Sequence, residues 1–390
     1  VWPVSDRFAT ALAGPHEMTS RTELWRGDDT LLGELAISDG TVTLDAAAAV
    51  LGGCTLTAHA SQVRGLVGAA GQIDVRDLNL YGLIVRPYRG IRHPGGQTED
   101  VPLGRYFLTA LTWTGGDTAV EITAAGYQQW VADARFRVYD AGGRLYRDIL
   151  TDMISGGMPV PFPPVYNADE LNALPAKTCR AGTVYADADK TRLDVIADAA
   201  TALGVHVYPD RLGVWRFTPV TDDGTAPPGD PVWSVLAGPG GVQVAVTGGT
   251  KRDGVFNVVI ATGEEGTDGQ APPSAEARVT DPGSPLRADG PFGRRVRFYA
   301  SPLLTDTAMC EKAAATILSR YATANTSIDC QAVPNPALDP GDLIKVTRPD
   351  TGTSLYRPAA VEIPLGTEGT IQLAATERSD ESEITVRSQW

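Results

Sequence analysis

Hydrophobic and polar positions alternate with period two over much of the first third of the chain. Thr41-Val42-Thr43-Leu44 and Cys54-Thr55-Leu56-Thr57-Ala58 are the clearest cases, and they predict half-buried antiparallel strands. Asp39-Gly40 supplies turn chemistry ahead of the first of them. Leu83-Ile84-Val85, Tyr106 to Trp113 and Ala119 to Ala124 continue the series, with Gly115-Gly116-Asp117 as the hairpin between the last two. From Glu23 to about Ala125 the pattern is therefore strand and turn, which closes most economically as a small barrel or strongly curled sheet.

Near Tyr127 the period changes. Leu145, Ile149 and Met153 recur at helical spacing and stop at Gly156-Gly157, and Pro159 to Pro164 then enforces an irregular connection. A second helix is marked at both ends. Thr191 with Asp194 forms a capping box, Leu193, Ile196, Ala197, Ala200 and Leu203 make one apolar face, and Gly204 supplies a left-handed stop. Val205 to Tyr208 and Gly213 to Thr218 read as a hairpin around Pro209-Asp210, so residues 126–220 are expected to form an α+β domain.

A linker, Thr221 to Asp230, leads into strands at Val242 to Val246 and Val255 to Ala261. Residues 264–294, rich in Gly, Pro, Ser and Asp, predict a loop or partly ordered segment. A third helix is capped by Thr305 or Asp306, carries Cys310, Ala314, Ile317, Leu318 and Tyr321 on one face, and ends before Asn325. Strand-like runs follow at Ile328 to Val333, Leu343 to Thr347, Ala359 to Ile363 and Thr370 to Ala374, and the charged last ten residues are expected at the periphery. The fold class these elements predict is mainly β with α+β insertions.

The two ends of the chain echo each other. Tyr106 to Ala125 carries Val120-Glu121-Ile122 before Ala124-Ala125, and Tyr356 to Ala375 carries Ile371-Gln372-Leu373 before Ala374-Ala375, with identical Tyr-to-Ala-Ala spacing. Upstream, Leu83-Ile84-Val85-Arg86-Pro87 is matched by Leu343 to Pro349. Coincidence in an Ala- and Thr-rich chain accounts for this about as well as duplication does. Duplication would mean two related barrels flanking α+β material.

Composition narrows the function. At roughly 150 residues per domain, 390 residues predict two or three domains, and 43% hydrophobic content excludes disorder as the main state. Glycine (42) and proline (28) together exceed the ~12% average and favour short elements joined by tight turns. Arginine outnumbers lysine 28 to five, a skew that GC-rich codon usage produces. Acidic residues outnumber basic ones 47 to 33, giving a net charge of −14, so gripping nucleic acid is not the general business of the surface. No run reaches the ~18 apolar residues of a membrane helix and the first residues do not read as a signal peptide, so a soluble protein made in a cytoplasm is expected. Cys54, Cys179, Cys310 and Cys330, like His16, His59, His93 and His206, are dispersed and suggest neither a zinc site nor a disulfide framework.

The familiar catalytic and phosphate-binding motifs are missing from the sequence. Asp187, Asp189 and Asp198 fall at positions one, three and twelve of a nominal calcium loop, but Arg192 occupies the glycine position, and helix capping explains them better. His93 with Glu99 and Asp100 could be drawn as a metal or acid/base cluster, yet Pro94-Gly95-Gly96 between them reads as an exposed hairpin tip. Glu264 and Glu265 sit side by side in a Gly-rich loop with no partner for glycoside hydrolysis. Gly238 to Gly241 and Gly248-Gly249 read as punctuation between strands rather than as a phosphate cradle. Trp25, Trp113, Trp130, Trp215 and Trp233 could offer stacking platforms for a glycan, but most lie in strand or helix patterns and read as core. No catalytic, cofactor-binding or metal-binding residue is assigned.

Two stretches carry a family likeness. Val333-Pro334-Asn335-Pro336-Ala337-Leu338-Asp339-Pro340-Gly341-Asp342 is a rigid turn, with Pro340-Gly341 at the centre of a type II bend, feeding Leu343-Ile344-Lys345-Val346 after an Ala-rich helix. Asp39 to Asp45, Gly53 to Thr57, Arg89-Gly90-Ile91 and Glu99-Asp100-Val101-Pro102-Leu103-Gly104 stand in order near the start. Over about residues 20 to 380 this resembles the tail hub and minor tail proteins of tailed bacteriophages, of the kind found in phages of actinobacterial-type hosts.

The resemblance implies two β-barrel hub domains per subunit in a homotrimer, whose six barrels match a six-fold tail tube or distal adapter ring and hand three-fold symmetry to a spike or fibre. It implies a first barrel at residues 1–125, the α+β domain at 126–220, a second barrel split into 221–262 and 330–385, an inserted loop-plus-helix domain at 263–329 and a short tail at 386–390. It further implies a virion protein made in the host cytoplasm, lining a channel for tape-measure protein and DNA, with no enzymatic role, no cofactor and no membrane insertion. Larger members continue into lysozyme, peptidase or fibre modules, and no wall-degrading role is expected here. Carboxylates concentrated on the lumen would keep DNA from sticking. A receptor- or carbohydrate-binding tail module and a secreted β-rich hydrolase are the alternative classes.

Overall fold

The alternation of apolar and polar residues is expressed as strands throughout, and one continuous sheet organises the molecule. The computed structural model describes residues 1–27, 29–68, 82–114, 119–160, 162–185, 190–219, 230–250, 252, 255–263, 271–301, 303–322, 326–348, 352–366, 369–377 and 384–388. The first part of the chain runs α1 (Asp6–Leu12), β1 (Glu17–Arg26), β2 (Thr30–Glu34), β3 (Ile37–Asp45), β4 (Gly52–His59), α2 (Ala60–Gly68), β5 (Leu83–Arg92), β6 (Thr98–Pro102), β7 (Tyr106–Thr114) and β8 (Ala119–Gly126). The middle part contains α3 (Gln128–Asp133), β9 (Tyr139–Asp140), α4 (Tyr146–Gly157), β10 (Val165–Tyr166), α5 (Ala168–Ala173), β11 (Val184–Tyr185), α6 (Arg192–Leu203), β12 (Val205–Pro209) and β13 (Val214–Pro219). The last part adds β14 (Trp233–Val235), β15 (Gln243–Thr250), β16 (Val258–Thr262), β17 (Ser274–Val279), β18 (Val296–Ala300), α7 (Thr307–Tyr321), β19 (Thr326–Ala332), β20 (Ile344–Arg348), β21 (Gly352–Pro364), β22 (Ile371–Glu377) and β23 (Ile384–Ser388).

The large sheet has the order β15-β19-β22-β21-β3-β4-β8-β7-β5-β1-β2, with β20 on β21, β14 on β20 and β6 on β5. This order contains the same arrangement twice. In space, β3-β4-β8-β7-β5-β1 repeats as β15-β19-β22-β21-β20-β14, and in chain order the first, second, third, fourth, fifth and sixth strands of each set correspond one to one. The Tyr-to-Ala-Ala echo falls on the matching hairpins: Tyr106 opens β7, and Tyr356 takes the same place in β21. Each hairpin is interrupted by a bulge at the same distance from its tyrosine, between Leu108 and Ala110 and between Pro358 and Ala360. The returning strands differ by one residue, since Leu108 faces Ala124 whereas Pro358 faces Ala375. The outermost strands also differ: β1 meets β5 antiparallel, whereas β14 meets β20 parallel.

Two cores hold this arrangement together. The two six-strand sets share one, in which Val42, Leu56, Val85 and Ile91 meet Ile344, Tyr356, Val361 and Ile363. Burial of each such side chain stabilises the fold by about 1.5–3 kcal/mol. The other core joins α3, α4, α6 and the β12–β13 hairpin to β16, β17 and α7. Tyr146 Oη on α4 donates to the Leu303 carbonyl ahead of α7 and ties the middle part to the later insertion.

The helices start and stop where local chemistry directs. Thr191 Oγ1 accepts the Asp194 N–H at 3.1 Å, Asp194 Oδ2 accepts the Thr191 N–H at 2.7 Å, and Gly204 closes α6 at φ +65°. Asp306 Oδ1 caps α7 by accepting the Met309 N–H at 2.7 Å.

Four expectations are revised. Asp39-Gly40 is not a turn but lies inside β3, beside a register shift that lets the strand run on from Ile37. Within 264–294, β17 is a buried strand between β16 and β23, because Ala275, Ala277 and Val279 are small enough to pack under α7 despite the polar composition around them. The terminal segment supplies β23 as a strand on β17 rather than a peripheral end. Gly248-Gly249 sits within β15, opposite Ile328 and Ser327, where two glycines keep the ladder. The Gly115-Gly116-Asp117 hairpin, most of the 221–230 linker and Asn325 lie outside the described residues.

Candidate assembly surface

The place where the two six-strand sets meet is built by β21. Its first residues pair with β20, from Arg348↔Gly352 to Ile344↔Tyr356. After the bulge the same edge pairs with β3, from Ala360↔Asp45 to Pro364↔Thr41. Gly40 is required beside this seam, because a Cβ there would lie 2.9 Å from Leu56 Cδ2 and 3.0 Å from the Thr55 carbonyl. Arg89 on β5 reaches under the seam, where its Nη1 donates to the Pro364 carbonyl and, at 2.7 Å, to that of Gly366. Burial lowers its guanidinium to about 10.

A second clamp gathers three parts of the chain. Arg211, in the β12–β13 turn, donates to the carbonyls of Pro102 at 3.1 Å, Pro336 at 2.6 Å and Leu338 at 2.8 Å, and pairs with Asp339 at 2.7 Å. Its side chain is 6% exposed, and the planar fork saturates the buried Pro336 and Leu338 carbonyls while reaching the partly exposed Asp339 carboxylate. The turn it grips is the bend expected from sequence: the Asp342 N–H donates to the Asp339 carbonyl at 3.2 Å, and Gly341 has φ +87°. Arg89 falls in one of the stretches that carry the family likeness, but nothing in the sequence marks it or Arg211 as a fastener.

The sequence-derived clusters resolve into structural roles. His93 is buried rather than exposed, with its Nε2 3.3 Å from Glu99 Oε2, while Pro94, Gly95 and Gly96 do form an exposed tip. Glu99 also accepts from the Ser5 N–H at 2.8 Å and Ser5 Oγ at 2.6 Å, the residue that caps α1. Partial burial pushes the Glu99 carboxyl up, but the Ser5 and His93 hydrogen bonds outweigh it and hold the group below the usual carboxylate range. Asp100 turns away to Arg21, at 3.2 Å.

Asp198 sits on α6, where burial raises its carboxyl against the pull of Lys190 at 3.3 Å and the Tyr299 hydroxyl at 3.2 Å. Asp187, Asp189, Glu264 and Glu265 lie outside the described residues, and Arg192 is the first residue of α6. Gly238 and Gly240 have positive φ in the β14–β15 turn and serve as punctuation. Among the described residues no group of three metal-ligating side chains converges.

The tryptophans are packed. Trp215 is fully buried, Trp130 stacks on Phe107 at 4.2 Å and Tyr127 at 5.2 Å, Trp25 lies under the Arg86 guanidinium, and Trp233 packs against the shared sheet core. The side chain of Trp113 lies outside the described residues. All four cysteines are buried free thiols. A cleft of about 340 Å³ is lined by Glu276, Arg278, Arg287, Asp289 and Arg294, and its charges face one another: Arg294 meets Glu276 and Arg287 meets Asp289, each at 2.7 Å. That arrangement cross-braces β17 and the turns that follow it, and it presents no nucleophile or poised base.

No family model and no curated protein sequence matches the chain. Solved structures do. A tail protein from Neisseria meningitidis MC58 superposes with a TM-score of 0.60 at 11% identity, covering 92% of this chain and 97% of that one. The 43 kDa tail protein of prophage MuSo2 from Shewanella oneidensis gives 0.55 at 12% identity, covering 93% and 100%. A prophage tail protein from Listeria monocytogenes EGD-e gives 0.51 at 11% identity, covering 91% and 94%. From near its first residue to near its last, the chain has the β-rich fold of these phage tail proteins.

Proposed function

We propose that the protein is a structural hub subunit of a phage tail tip. Three copies form a ring that joins a six-fold tail tube or distal adapter ring to a three-fold spike or fibre and lines the passage for tape-measure protein and DNA. The observation that carries this reading is the repeat of one six-strand order within one chain, joined edge to edge at β21 and β3. Two similar units per subunit let three subunits present six similar surfaces. The whole-chain likeness to phage tail proteins supports the same reading.

The role is mechanical, without catalysis, cofactor or metal. The protein is made in the host cytoplasm and resides in the virion. Much of the surplus that gives the net charge of −14 faces the lumen, where like charge keeps DNA sliding. Light scattering across a concentration series, with negative-stain images of the same sample, tests the reading. A species of three times the 41.1 kDa chain mass with a central hole is expected, and a compact monomer at every concentration overturns it.

A further inference from the structure

We infer that the outer face of the β16–β17–β18 sheet binds a sugar unit carrying an anionic group, with its charge in the cleft at Arg278 and its ring on Phe298. Alternation along these strands sends one set of side chains under α7 and the other set outward. Val259, Ala261, Ala275 and Ala277 pack in the core that includes α7. Their neighbours face the opposite way, and the registers place Phe298, Ile260 and Glu276 in one row across that outer face. Ala300, Thr262 and Ser274 form the row on one side of it, and Val296, Val258 and Arg278 the row on the other.

The cleft of about 340 Å³ opens on this face, and its lining carries three guanidinium groups against two carboxylates. Arg294 is committed to Glu276, whose side chain is almost fully buried, whereas Arg287 pairs with Asp289, whose carboxylate is 81% exposed and therefore weakly held. The Arg278 side chain makes no ion pair or hydrogen bond with any described residue, and its Nε is shut away from water. A guanidinium so placed offers its planar fork to an incoming carboxylate or phosphate. Phe298 stands beside the cleft, about 10 Å from Glu276 across two strand spacings. It is 75% exposed, while every other phenylalanine and tryptophan among the described side chains is at least partly buried.

Size and charge select the ligand class. A row of phosphates is excluded, because one small cleft on a chain of net charge −14 cannot gather a polyanion. A protein partner would need an apolar interface core, whereas Phe298 is bordered on its face by the alanine, threonine and serine of the next row. Small-ligand sites begin at about 300 Å³, the size of this cleft. A sugar ring lays its C–H groups on the aromatic face, turns hydroxyls toward Thr262 and Ser274, and reaches Arg278 with its acid; one or two units span the distance. The site lies within one chain and does not depend on assembly into a ring.

Calorimetric titration of the intact chain at low salt with digalacturonate, glucose 6-phosphate, galactose and inorganic phosphate tests this. At least one of the two acidic sugars is expected to bind with a dissociation constant of about 1 mM, and the tighter of them identifies the acid as carboxylate or phosphate. Arg278→Gln and Phe298→Ala should each weaken that binding at least about fivefold, with thermal unfolding of the chain unchanged. Galactose binding as tightly as the acidic sugars overturns the inference. So does inorganic phosphate matching them with Phe298→Ala without effect, which describes a bare anion site. The rival occupant is the chain's own Asp380-Glu381-Ser382-Glu383, which lies outside the described residues and precedes β23, whose first residue faces Val279. Sugar binding by Asp380→Asn/Glu381→Gln/Glu383→Gln protein alone gives the cleft to that stretch and overturns the inference, as does binding by neither protein; equal binding by the two supports it.

Discussion

The first and second six-strand sets solve the same topological problem with different partners. In the first, β1 runs ten residues antiparallel to β5, and a lone charged strand, β6, covers the rest of the β5 edge. In the second, β14 contributes three residues parallel to β20, and the chain departs between β15 and β19 to build β16, β17, β18 and α7. The ladders at the centre of each set are alike; the periphery and the insertions are not. Backbone hydrogen bonding preserves the central order, while solvent-facing connections accept long excursions at little entropic cost. The second set is therefore the more dependent on help from elsewhere. Arg211 supplies it by fastening the 334–342 turn to Pro102 at the end of β6.

The largest test of this difference is Arg211→Ala. It leaves the buried Pro336 and Leu338 carbonyls without their donor, and a loss of about 2–4 kcal/mol is expected in urea unfolding. Arg211→Lys should recover only part of it, since a point charge cannot span three acceptors. If Arg211→Ala costs less than about 1 kcal/mol, the second set stands without the clamp and the contrast falls.

Next in size is Gly40→Ala at the seam. The added methyl meets the Thr55 backbone and Leu56, and about 1–3 kcal/mol is expected from the unfolding midpoint. A neutral result would mean that β3 and β4 move apart without cost.

Asp306→Ala removes the cap of α7 in the second set's insertion and should lower stability by about 1 kcal/mol, measured by thermal unfolding. Helix α1, in the first set, is capped by Ser5, itself held by Glu99.

The smallest effects are those of pH. The Glu99 carboxyl titrates lower in the folded chain than in the unfolded one, so its contribution is present above the unfolded value of about 4.3 and is lost as pH falls through the folded value. Asp198 is shifted the other way. Its burial cost is present at neutral pH and is relieved as pH falls through its raised value toward about 3.9. Stability against pH for Glu99→Gln and Asp198→Asn should therefore diverge from the parent in opposite directions on acidification, by under about 1 kcal/mol for the half-buried, solvent-screened Glu99. Parallel curves would remove the assigned signs.

Legibility followed locality. The capping box at Thr191, the stop at Gly204 and the Pro340-Gly341 bend are set by residues three or four apart, and each stands where the sequence places it; of the two caps the sequence offers α7, Thr305 and Asp306, the structure uses Asp306. β17 is not legible in the sequence because its small side chains, Ala275 and Ala277, become a core only when α7 lies on them. His93 reads as exposed because its turn is; its burial is decided by β6 and the Ser5 cap, far away in sequence or across a ladder. The Tyr-to-Ala-Ala echo was visible as a spacing, but no sequence feature told duplication from coincidence.

By itself the sequence determined the strand-rich class, the three long helices with both ends of α6, the key turn and the acidic balance, because each depends on periodicity, on short-range hydrogen bonds or on counting. Only the tertiary structure decided that the echo is a repeated strand order and that Arg89 and Arg211 are the fasteners. Those outcomes depend on which distant ladders pair. Pairing is governed by packing of whole faces and saturation of backbone groups across hundreds of residues, and no local window contains that information.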